Sequence, residues 1–184
     1  LEKEWDGSAD IDFYQAYLTG IDSVDDKEYF SFRLGYFCHL LADNLWIAHI
    51  YRPSKKRFAD EYAVNPKFIS AMKKDWYGLD LAYVRNHPDF LFWHTYLNAQ
   101  PDACDLDFLP LNAVNQQLNY IKGFYKEYET SLLDYSSPPY TYLTQGEVDH
   151  FVEIATQEIY RVYQMIWEEK EPIPERKSML SLFP

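Results

Sequence analysis

The sequence predicts an all-α fold: a single-domain bundle of several helices over residues 1–184, built around a long buried central helix. Three observations predict it. Apolar residues recur at three- and four-residue steps along most of the chain, and no run alternates with period two. Only 6 glycines stand among 184 residues, too few for a turn-rich β-sandwich. Hydrophobic residues make up 47% and aromatics 18%, with 17 Tyr, 12 Phe and 5 Trp, which implies a core of large rings whose polar tips need partners.

The elements follow in order. Residues 10–18 read as a short helix stopped at Gly20. Ser23 offers an N-cap with Asp26 in the first turn, and residues 26–51 run without a breaker until Pro53. At a 1.5 Å rise per residue this second helix would be about 39 Å long. Residues 54–62 read as a short charged helix. Asn65-Pro66 opens a further helix, with proline at its first position, which ends near Asn86 before His87-Pro88. Residues 89–97 are helical, 99–110 a loop, 111–134 helical and 135–143 a second loop. Thr144 with Glu147 has capping-box spacing. Behind it Val148, Phe151, Ala155, Ile159, Val162 and Ile166 form one stripe, and the helix ends before Pro172. Residues 172–184 read as an irregular tail.

Residues 34–51 are eighteen residues with one carboxylate, Asp43, which reaches the length of a membrane span. His39, Asp43, Asn44 and His49 inside it, and polar sequence on both sides, make it a buried core helix and no transmembrane segment. The formal charge of −12 disfavours electrostatic capture of extended nucleic acid and of anionic membrane surfaces. Cys38 and Cys104 make neither a disulfide framework nor a cysteine-based zinc site, and a reducing, cytoplasmic compartment is the simplest expectation. Leu1 rather than Met stands first, so the native start is expected upstream. No glycine-rich phosphate loop, GxSxG elbow, HExxH or CxxC motif is present.

The candidate chemistry centres on His39 and Asp43. Four residues apart, they share one helix face, with Gly35 a turn earlier where it would let another backbone approach. An imidazole and a carboxylate so spaced can hold one divalent cation, or can form a hydrogen-bonded pair tying core helices together. His49 lies six residues past Asp43, about 120° round an α-helix, and joins a shared metal only if the helix deforms. On the next long helix Met72, Trp76, Leu79 and Tyr83 define an apolar stripe. Asp80 borders it, whereas Asp75 lies further round and reads as solvated. Glu147, His150 and Glu153 read as a solvated face at a helix start, and His94 as a satisfied core histidine.

The run Leu34-Gly35-Tyr36-Phe37-Cys38-His39-Leu40-Leu41-Ala42-Asp43, with Trp46, resembles the bacterial zinc-dependent phospholipase C-like family. Asp75-Trp76-Tyr77-Gly78-Leu79-Asp80 and Asn86-His87-Pro88-Asp89-Phe90 are similar to it as well, and the resemblance covers roughly residues 12 to 125. It implies an all-helical fold shared with phospholipases C and single-strand nucleases. It also implies zinc bound through His39 and Asp43, with His49 at the place of a further ligand histidine. The family's later HxxxE has no match here, since His150 and Glu153 are one residue too close. Its histidines ahead of the HxxxD helix have no match either, because no histidine precedes His39.

The expectation is a zinc-dependent phosphoester hydrolase acting on a small phosphoester or phospholipid, with Asp80 as general base or further ligand. The alternative is a non-catalytic protein of the same fold, with a degenerate metal site and His39–Asp43 as a structural pair. A third reading, a helical interaction module, predicts a contiguous aromatic surface patch.

Overall fold

A computed structural model describes residues 7–21, 27–65, 67–104, 106–126, 139–176 and 178–180. Among them there is no strand, and no helix is long and apolar enough to cross a membrane. The all-α expectation therefore holds. The helices fall into two compact units, residues 1–59 with 146–184 and residues 60–145.

In the first unit, α1 (Asp10–Tyr17) ends as expected before Gly20, whose φ of +74° favours glycine. The Arg33 guanidinium donates to the carbonyl of Tyr17 at 3.1 Å. Helix α2 (Lys27–Trp46) passes without interruption through a π turn (Ile47–Tyr51) into α3 (Arg52–Arg57). Pro53 was expected to stop this helix. It does not, because it sits in the first turn of α3, directly after the π turn has already loosened the α-helical ladder its missing N–H would break. Helix α4 (Ala59–Val64), which belongs to the second unit from Asp60 on, follows after a turn at Phe58 and splits the one short helix expected here.

The second unit holds α5 (Phe68–Asn86), α6 (Leu91–His94), a 3₁₀ turn (Tyr96–Asn98) and α7 (Leu111–Lys126). Asn65 Oδ1 accepts from the Lys67 N–H at 3.0 Å, a turn just ahead of α5 rather than a cap upon it. The remainder of the helix expected over 111–134 lies outside the described residues. Helix α8 (Gln145–Tyr163) and a π turn (Gln164–Glu168) return the chain to the first unit. Ala155, Val162 and Ile166 of the expected stripe are buried.

Helix α2 is not buried all round. Its buried residues are Phe37, Leu41, Asn44 and Leu45, one face of the helix. Tyr14 from α1 and Trp167 from beyond α8 pack on Phe37, with ring centroids 5.9 Å and 6.3 Å away. Phe30 also meets Trp167, and Trp46 meets Phe151, so α2 and α8 run antiparallel. Gly35 is exposed, and a Cβ there would meet nothing within 4 Å, so among the described residues no backbone approaches it.

The tail is irregular but not loose. Ser178, Met179 and Leu180 are buried, and they close on Asp10, itself 0% exposed. The Asp10 carboxylate accepts from Ser178 Oγ (2.5 Å), the Met179 N–H (2.8 Å) and Asn44 Nδ2 (2.7 Å). Asn44 in turn accepts from the Ser8 N–H at 2.6 Å. One buried carboxylate thus joins the start of α1, the last turn of α2 and the strap at residues 178–180.

Candidate functional site

The side chains of His39 and Asp43 lie on the face of α2 opposite its buried one. From Asn44 to His39 is five residues, and the 100° α-helical step carries the two onto different sides of the helix. His39 Nε2 stands 3.5 Å from Asp43 Oδ2, with 62% and 39% of the two side chains exposed. The pair is brought together as its spacing predicts, but at the surface and not in the core. Its apolar neighbours in sequence, Phe37, Leu41 and Leu45, face the other way. Tyr36 meets the His39 ring edge-on at 6.0 Å.

His49 does not join them. It lies within the π turn, which advances each residue by less than an α-helical step. The deformation therefore carries His49 further toward the side of the helix away from Asp43. His150 and Glu153 form a loose pair at 4.0 Å, 72% and 67% exposed, which is the solvated face expected of them. His94, expected in the core, is exposed. His87 stacks on Tyr83 at 4.0 Å and its Nδ1 lies 2.8 Å from the Tyr83 carbonyl. Among the described residues no group of three or more His, Cys, Asp or Glu converges on a cation position.

In the second unit Asp75, expected to be solvated, is the buried aspartate of α5. Asp75 is 9% exposed. Its Oδ2 accepts from the backbone N–H groups of Tyr142 (2.5 Å) and Leu143 (3.2 Å), pinning the segment that leads into α8. The buried face of α5 runs through Phe68, Met72, Asp75 and Leu79, so Asp80 and Tyr83 turn outward.

Asp80 retains solvent contact as a residue, yet protein crowds its carboxyl. That desolvation raises its pKa to about 6, while the Tyr125 hydroxyl donates a hydrogen bond and pulls it the other way. The Tyr125 phenol is pushed well up, first by burial and then by the charge of Asp80. Phe92 and Phe124 each pack on the Tyr125 ring at 5.1 Å. The result is a carboxyl poised near neutrality beside phenols.

This shift sets a pH dependence. With its folded value above the ordinary 3.8, the Asp80 contribution to stability is complete below that value and lost as pH rises through about 6. Unfolding midpoints of wild type and Asp80→Asn, measured by circular dichroism from pH 4 to 7, are expected to show a flatter slope in the variant. Equal slopes would contradict the assignment.

Sequence reasoning missed Asp10, Asn44 and Asp75. Each is a polar residue whose partners lie far along the chain, and only the Asn44 position inside an apolar helix hinted at one. No protein-family model matches the chain, and neither a curated protein nor a solved structure is similar to it.

Proposed function

We propose that the chain is a zinc-dependent phosphoester hydrolase of phospholipase C-like fold, with His39 and Asp43 as two ligands of its metal. The observation that carries this reading is the 3.5 Å separation of two accessible donors, an imidazole nitrogen and a carboxylate oxygen. Donors about 2.1 Å from a tetrahedral zinc ion stand roughly 3.4 Å apart, so the pair matches one edge of such a site. The edge is open to solvent, as a catalytic site requires.

Zinc held there would lower the pKa of a bound water and polarise a phosphoryl oxygen. Its charge would also offset the acidity of the chain toward a small phosphoester or phospholipid. A third protein donor is needed, and it has to come from outside the described residues.

A second reading is favoured by the same pair taken as it stands. A His–Asp ion pair at i and i+4 on a solvated helix face steadies the helix by about 0.2–0.5 kcal/mol and does nothing else. Hydrolysis of bis(4-nitrophenyl) phosphate separates the two. The hydrolase reading expects turnover with added zinc, loss with chelator, and loss of at least about 100-fold in His39→Ala, given that even outer-shell changes cost 10–100-fold. Turnover that is absent, or indifferent to chelator and to His39, would leave the structural pair.

A further inference from the structure

We draw no further inference here: the strongest candidate, the apolar groove between α2 and α8 lined by Leu34, Cys38, Phe151, Val152 and Tyr160, carries none because nothing in the structure shows what covers it.

Discussion

Replacing Asp10 with alanine is expected to destabilise the protein by about 3–5 kcal/mol, the range for breaking a buried charged cluster by removing one member. Ser178 Oγ, the Met179 N–H and Asn44 Nδ2 all donate to this carboxylate. Alanine would leave three donors facing a cavity that solvent does not reach, each with a desolvation cost of its own. The strap would also lose its bonds to α1, while Arg176 would still hold the strap's own carbonyls, those of Ser178 and Met179. Asp10→Asn should fall between wild type and alanine, since an amide keeps the shape but has one acceptor oxygen. Burial raises the Asp10 pKa, against the hydrogen bonds of Ser178, Met179 and Asn44 and the charge of Arg176. Its pH contribution therefore has the same sign as that of Asp80: it is lost as pH rises above the ordinary carboxylate range. Urea unfolding of the three proteins at pH 7 measures the order. A change of less than about 1 kcal/mol on Asp10→Ala would mean that the cluster does not hold the strap.

The second large effect belongs to Phe37→Ala, expected to cost about 3–5 kcal/mol, as deletion of a buried aromatic ring does. Phe37 is 1% exposed and is the contact between α2, Tyr14 and Trp167. His39→Ala, two residues on, serves as the internal control. His39 is exposed, so its loss should move stability by no more than a few tenths of a kcal/mol, the scale of a surface i, i+4 pair. The contrast places the core on the Phe37 face of α2 and the candidate chemistry on the other. Similar losses for both would contradict the division of the helix.

Much of the fold was legible where a single periodicity dominates. Helix α8 carries its apolar residues at three- and four-residue steps, and its buried positions are those that the steps select. Gly20 ends α1 through a backbone conformation that its lack of a side chain makes easy. Helix α2 was harder to read, because apolar residues surround it on every side in sequence. Which of them face the core depends on what packs there, namely Tyr14 and Trp167, more than 120 residues apart in the chain. That is why a surface HxxxD pair read as an interior one.

Helix α5 misled in a similar way. Its stripe could be drawn through Trp76 and Tyr83, or through Phe68, Met72 and Asp75, and the second places an aspartate inside. The inward choice rests on backbone N–H groups of Tyr142 and Leu143, which no local pattern announces. The π turns and the course of the helix through Pro53 belong to the same class. They depend on how the backbone answers packing along 31 consecutive helical residues, from Lys27 to Arg57, and not on any one of them.

The central claim is that His39 and Asp43 are metal ligands, and isothermal titration of zinc into the metal-free chain tests it most directly. The account predicts stoichiometric binding that weakens by at least about 100-fold in His39→Ala and in Asp43→Ala, with both variants folded. Zinc heats that are absent from the wild-type chain, or equal in wild type and both variants, would contradict it.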